Sequence, residues 1–284
     1  MFQIRDLTFK YPKAIEETIK GITFEIKTGE IFGLLGPSGV GKSTTQKILI
    51  KLLNNYKGEV LYKNKPLDRF GKEFYEEVGV GFEMPVHFSK LTAVENLEFF
   101  KKLYKTSANV DELLEKVGLY DDRHKKAAEF SKGMKSRLNF VRALLNNPKV
   151  LFLDEPTNGL DPKNSRIVKN IIREFKESGG TVLLTTHLMN DVDELCDRVA
   201  FMADGKIVET DSPKNLKLKF GKRIVEVEYI GGNGIVKEEF SLDRLKNNGE
   251  FLNIVNTKDI ITIHSKETTL DDIFIKVTGV GDYE

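Results

Sequence analysis

The strongest constraint on this chain is the stretch Gly36-Pro37-Ser38-Gly39-Val40-Gly41-Lys42-Ser43, followed by Thr44. It lies between the apolar run Ile31-Phe32-Gly33-Leu34-Leu35 and a segment of helical character from about Lys42 to Leu53. The stretch fits G-x-x-x-x-G-K-[ST] at every fixed position. Its glycines let the backbone curl so that successive N–H groups point inward at phosphate oxygens, and the loop opens into a helix N-terminus whose dipole favours negative charge. In such a loop Lys42 reaches the outer phosphates and the Ser43 hydroxyl is placed to ligate Mg²⁺. A run that is apolar on both faces suits a buried strand of a parallel sheet.

A second site is expected at Val150-Leu151-Phe152-Leu153-Asp154-Glu155, an apolar strand ending in two carboxylates. Asp154, at the carboxyl end of a parallel strand, suits an acid that organises Mg²⁺. Glu155 suits a general base that draws a proton from an attacking water.

Around these motifs the chain alternates strands and helices. Gln3 to Phe9, Gly21 to Ile26, Gly58 to Tyr62 and Val78 to Phe82 read as strands. From Ala93 to about Asn147 the pattern becomes helical, with Asn109 as an N-cap and Gly118 closing a helix over Val110 to Val117. Pro162 to Glu177 reads as a helix opened by proline, and Thr181 to Thr185 as a strand. Met189, Val192, Leu195 and Val199 mark one helical face, and Asp204-Gly205 a hairpin turn. After Pro213 the composition shifts, and from about Lys219 the chain reads as short alternating strands broken by Gly231-Gly232-Asn233-Gly234 and Asn247-Asn248-Gly249. A last helix follows, with Thr269 and Asp272 spaced as a capping pair. The remainder is a small α+β appendix without a chemical motif.

The 284 residues hold one large domain or a domain of about 200 residues with an appendix. Lys+Arg 44 against Asp+Glu 43 leaves a formal charge of +1, so no bulk basic field argues for a nucleic-acid partner. The single cysteine, Cys196, cannot form an internal disulfide, which fits a reducing compartment. No signal peptide and no apolar stretch of the ~18–20 residues that span a bilayer are present, so any membrane role is expected to be peripheral, through a partner.

Phe130-Ser131-Lys132-Gly133-Met134, at the start of a helix before the acidic strand, narrows the field. Together with Asp154-Glu155-Pro156-Thr157-Asn158-Gly159-Leu160-Asp161-Pro162 and Thr186-His187, it resembles the ATP-binding cassette of ABC transporters over about residues 1 to 217. It looks most like cassettes of ABC-2-type drug and small-molecule exporters, which often carry an S-K-G-M signature and a C-terminal appendix. The resemblance implies an α/β P-loop fold, with a mixed sheet and a helical subdomain at about 93–147, then a small α+β domain from 218 to 284. It implies that Tyr11 stacks on adenine and that Gly36 to Thr44 hold the phosphates. Ser131 and Gly133, with Lys132 and Met134 between and after them, would meet the γ-phosphate on a second cassette. Asp161 would lie in the loop crossing the dimer interface, and His187 would sense the γ-phosphate. The activity implied is MgATP hydrolysis by a head-to-tail pair of cassettes, identical or different, at the cytoplasmic face of the membrane. That pair would drive a separate permease, in the direction of export.

This chain departs from the family twice. Glu83 stands where glutamine is usual, and it is expected to keep a metal-sensing role; Mg²⁺ affinity and hydrolysis unchanged in Glu83→Ala would count against that. In the signature, Lys132 and Met134 replace the usual glycine and glutamine, and Lys132 either supplies a cation across the interface or points to solvent. Between Glu83 and the helical insertion, Met84, Val86, His87, Phe88 and Leu91 mark an expected docking region for the permease. A soluble ABC-type ATPase outside transport, or a regulatory nucleotide-binding module, is the alternative. The 48 residues from Glu83 to Ser131 are too few for the long coiled coil of chromosome-maintenance members. Retained Glu155 and His187 speak against a module without turnover.

Overall fold

The structure, a computed structural model, describes residues 1–279 apart from Pro85, Lys222, Asn233 and Glu267. Pro85 of the expected docking loop and Asn233 of the glycine-rich break therefore lie outside the described residues. Backbone contacts divide the chain into two units, Met1–Ser212 and Pro213–Glu284. The boundary expected at 217/218 falls inside a continuous helix, Pro213–Phe220, so the division comes five residues earlier. Pro213 is well suited to a helix's first turn, since it has no N–H to leave unsatisfied.

The first unit carries strands β1 (Phe2–Phe9), β2 (Ile19–Ile26), β3 (Ile31–Leu35), β4 (Lys57–Tyr62), β5 (Lys65–Pro66), β6 (Val78–Gly81), β7 (Val150–Asp154), β8 (Thr181–Thr186), β9 (Arg198–Ala203) and β10 (Lys206–Asp211). They form two sheets. One is antiparallel, in the order β2-β1-β4-β5; the other has six strands in the order β10-β9-β3-β8-β7-β6. In the larger sheet β3, β6, β7, β8 and β9 are parallel, and only the edge strand β10 runs against its neighbour. All residues of β3 and β8 are buried, as expected of central parallel strands covered on both faces.

The helices of this unit are α1 (Lys42–Leu49), α2 (Glu73–Glu77), α3 (Ala93–Lys101), α4 (Val110–Lys116), α5 (Lys132–Arg142), α6 (Pro162–Glu177) and α7 (Met189–Leu195). The two sheets and α1 share one core: Phe2, Ile4 and Ile22 of the antiparallel sheet meet Phe32, Phe152 and Leu183 of the parallel one, with Ile48 and Leu49. The Phe2 and Phe152 rings cross edge-on at 5.6 Å, a favourable aromatic geometry. Helix α1 stops at Leu49 rather than near Leu53. Lys51 takes a left-handed φ of 61°, its N–H donates to Ile48 O at 2.9 Å, and the Leu52 N–H donates to Lys47 O at 2.8 Å. This is the Schellman closure, hidden from sequence reading because lysine occupies the position usually held by glycine.

The second unit consists of α8 (Pro213–Phe220), β11 (Ile224–Gly231), β12 (Gly234–Ser241), α9 (Gly249–Thr257), β13 (Ile260–Lys266) and α10 (Leu270–Thr278). Its antiparallel sheet, in the order β12-β11-β13, buries Val225, Val227, Tyr229 and Phe240 with Ile254 of α9. Thr269 and Asp272 form the expected capping box of α10.

Candidate nucleotide site

The phosphate loop joins β3 to α1 and is pressed against β9. A Cβ placed on Gly36 would lie 2.3 Å from the Met202 carbonyl oxygen, so only glycine fits there. Gly41 is the N-cap of α1 at a φ of 108°, a conformation that side chains disfavour. Helix α1 has no side-chain cap and no acid in its first turn, which leaves its first N–H groups and its positive dipole end for an anion. Lys42 Nζ donates to Gly36 O at 2.6 Å and to Pro37 O at 3.0 Å, so the ammonium bends back over its own loop. Burial lowers the Lys42 pKa, and the carboxylates of Glu155, Asp154 and Glu83 oppose that shift, which puts all of these groups in one electrostatic neighbourhood. Thr44 is buried and Ser43 half-buried, while Ser38 and Gly39 are exposed at the loop's tip and Val40 packs against the core. The Tyr11 hydroxyl meets Thr44 Oγ1 at 3.2 Å, and its half-buried ring stands edge-on to Phe9.

Strand order brings the two acids to this loop. Because β8 lies between β3 and β7, Leu35 pairs with Thr186 and Asp154 with Thr185. Asp154 Oδ1 accepts from Thr185 Oγ1 at 2.5 Å. Glu155 takes a left-handed φ of 49°, which costs a non-glycine residue about 1–3 kcal/mol. Its position is over-determined: its N–H donates to Thr185 O at 2.8 Å, Oε2 accepts from Thr186 Oγ1 at 2.8 Å, and Oε1 pairs with His187 Nδ1 at 2.8 Å. The Glu155 side chain is 9% exposed and that of His187 56%, so the carboxylate is sheltered and the imidazole faces outward.

Glu83 shares a cleft with Ser136, Asn139, Asp154 and Glu155. Asn139 Nδ2 donates to Phe82 O at 2.7 Å, and Arg142 bridges Asn139 Oδ1 at 2.7 Å to Val86 O at 2.8 Å. Met84, Val86 and Phe88 are exposed; Phe88 packs on Phe99 and Phe100, and His87 Nε2 meets Lys135 O at 3.0 Å. Thr185, Asn139 and Arg142 carried no signal in the sequence, and Thr186 stood in a motif whose bond to Glu155 only the structure reveals.

The signature forms a separate cluster. Ser131 is the N-cap of α5 and accepts from the Met134 N–H at 3.2 Å. Lys132 lies over Gly159, with Nζ 3.1 Å from where a Cβ would stand, and Gly133 faces the Leu160 side chain. Asp161 caps α6, accepting from the Asn164 N–H at 3.0 Å, a bond that lowers its pKa. Lys132 is thus exposed along its own chain's loop. Among the described residues, no hydrogen bond joins residues 131–134 or Asp161 to the phosphate loop.

The profile of the ABC transporter family matches residues 19–158, and that of the fluoroquinolone efflux ABC transporter C-terminal domain matches residues 223–267. The chain is 50% identical to the fluoroquinolones export ATP-binding protein of Mycobacterium tuberculosis, over 98% of this chain and 93% of that one. It is 31% identical to the bacitracin transport ATP-binding protein of Bacillus licheniformis, over 97% and 96% of the two chains. Among solved structures, an ATP-binding cassette in a dimeric post-hydrolysis state with ADP and Pi superposes with a TM-score of 0.68 at 27% identity, covering 75% of this chain and 98% of that one. With its nucleotide loop, paired acids and signature helix in that company, this chain belongs to the family of ABC transporter ATP-binding proteins.

Proposed function

We propose that this chain binds and hydrolyses MgATP as one of a pair of cassettes and drives export through a separate membrane protein. One observation carries the reading: an uncapped helix end, Lys42, Asp154 and the Glu155–His187 pair converge at the carboxyl ends of the adjacent strands β3, β8 and β7. The loop amides and Lys42 hold the phosphates. Incoming phosphate oxygens replace the Gly36 and Pro37 carbonyls as partners of the ammonium, and the same negative charge raises the depressed Lys42 pKa again. Tyr11 offers a ring face to the base.

The donor set suits Mg²⁺. Among the described residues there is no group of three or more His, Cys, Asp or Glu able to hold a metal, so protein side chains alone do not make the site. Mg²⁺ takes only a few protein oxygens, directly or through water, and the rest of its shell from phosphates and solvent; Ser43, Asp154 and Glu83 would supply the protein's share. When bound, the ion neutralises phosphate charge. Glu155 accepts the proton of the attacking water as its oxygen bonds to the γ-phosphorus and the bond to ADP breaks. Thr186 and His187 orient the carboxylate for that transfer. Ser131, Lys132, Gly133, Met134 and Asp161 serve the nucleotide of the second cassette.

No helix among the described residues is long and apolar enough to cross a membrane. The relatives named as export and transport ATP-binding proteins support a transport path in a separate partner. The relative named for fluoroquinolones export matches nearly the whole chain, the second unit included, and supports fluoroquinolone-like drugs as cargo and the cytoplasmic membrane face as the working place. Single-turnover hydrolysis by the purified chain against Glu155→Gln tests the catalytic reading. Equal rates would overturn it. Drug efflux from cells carrying the chain with its membrane partner, lost in Glu155→Gln, tests the transport reading.

A further inference from the structure

Gln46, on the second turn of α1, is 2% exposed, and its Nε2 is buried without a hydrogen-bond partner. Its Oε1 lies 3.2 Å from Thr185 Oγ1, and Thr185 is itself fully buried. The Thr185 hydroxyl has one proton and three oxygens around it: Asp154 Oδ1 at 2.5 Å, Gln46 Oε1 at 3.2 Å and Leu153 O at 3.3 Å. The carboxylate is the nearest and the strongest acceptor of the three, so the hydroxyl donates to Asp154 Oδ1. With that proton committed, two oxygens face each other at 3.2 Å while an amide N–H₂ goes unpaired nearby. A half-turn of the amide removes both faults, and the surrounding network decides between the two orientations of a glutamine.

We propose that Gln46 is a positioning residue for the metal acid: Nε2 donates to Thr185 Oγ1, which locks the hydroxyl proton onto Asp154 Oδ1. The inference rests on the reading above, in which Asp154 faces the ion. Locked this way, Oδ1 is occupied and Oδ2, which takes no hydrogen bond from the described residues, is left for the ion's hydration shell. Without Gln46 the hydroxyl can also turn its proton to Leu153 O, and Asp154 loses a fixed orientation. Such outer partners set metal affinity without touching the metal. Gln46 also sits three residues after Ser43 on the same helix, so one rigid element bears both the hydroxyl ligand and the group that orients the acid.

The test is Mn²⁺ affinity of the ATP complex by electron paramagnetic resonance, alongside ATP affinity in EDTA, which also reports folding. Gln46→Met, which keeps the volume and removes the donor, should weaken Mn²⁺ about tenfold with metal-free ATP binding unchanged. Thr185→Val should weaken it at least as much, Thr185→Ser should restore it, and Gln46→Met added to Thr185→Val should change nothing further. Gln46→Leu, which likewise removes the donor, should match Gln46→Met and serves if the latter does not fold. Wild-type Mn²⁺ affinity in Gln46→Met or Gln46→Leu, or additive losses in the double variant, would overturn the inference. Asp154→Asn separates the two levels: if it leaves Mn²⁺ binding intact, the reading of Asp154 fails as well.

Discussion

Two helix ends in this cassette use the same physics and arrive at opposite states. The N-terminus of α1 has no side-chain cap, sits beneath β9, and draws Lys42, Asp154, Glu155 and Glu83 into one neighbourhood. The N-terminus of α5 is capped by its own Ser131 and stays exposed, with Lys132 laid along Gly159 and nothing from the phosphate loop in hydrogen-bonding range among the described residues. The first end is incomplete without an anion and has its further partners supplied by the same chain. The second is self-sufficient, and its Ser131 hydroxyl, already accepting from Met134, keeps one proton to donate outward. In the reading proposed above, the terminus that grips phosphate is bare and walled in, and the one that meets a second cassette is capped and open.

The comparison can be broken most sharply at the walled-in end. Glu155→Gln should lower turnover by about 10³-fold, within the range expected for loss of a general base, while ATP binding persists. The same variant with MgATP should move the chain toward dimer in sedimentation; a persistent monomer would count against the pairing of the two ends. Lys42→Ala should weaken ATP by about 100-fold, since charge-assisted hydrogen bonds contribute ~1.5–3 kcal/mol each, and calorimetry reads this directly. At the open end the signature is the reverse. Ser131→Ala should leave ATP affinity of the monomer unchanged and cost about 1 kcal/mol of helix stability through the lost cap. It should also lower turnover of the paired cassettes, and equal turnover would place Ser131 outside the shared site. Lys132→Ala should have a smaller effect, seen as a weaker salt dependence of pairing if the ammonium reaches across, and as none if Gly159 is its only neighbour.

The smallest effect lies between the two ends, at His87. Burial holds its pKa below the ordinary 6.5, with the Lys135 carbonyl opposing and the nearby Arg142 and Lys135 charges adding to the depression. On acidification the unfolded chain therefore takes up this proton first, and stability falls as pH drops below about 6.5 toward the folded-state value. Thermal unfolding from pH 7.5 to 5 should show a shallower loss in His87→Gln than in the wild-type chain. Parallel curves would remove His87 from the joint between the Glu83 loop and α5.

Several elements were legible because their signals are local. The proline-opened helix Pro162–Glu177 stands where the sequence puts it, as do the Asn109 cap and the Thr269–Asp272 box. The phosphate loop was legible because few residues other than glycine tolerate its backbone. The Lys51 closure of α1, the split into two sheets and the helix that opens the second unit at Pro213 were not. Each depends on what packs against the segment rather than on the segment's own composition.

The amino-acid sequence by itself determined the chemistry available here: a bare glycine-rich turn, an ammonium, two acids ending an apolar strand, an imidazole and a serine-capped helix. Only the tertiary structure decided which of them meet. Placing β8 between β3 and β7 puts Thr185 and Thr186 against Asp154 and Glu155, and α1 slides Gln46 in behind them. The reason is physical: hydrogen-bond pairing in a parallel sheet joins residues more than a hundred positions apart, and no local pattern encodes which strand lies next to which.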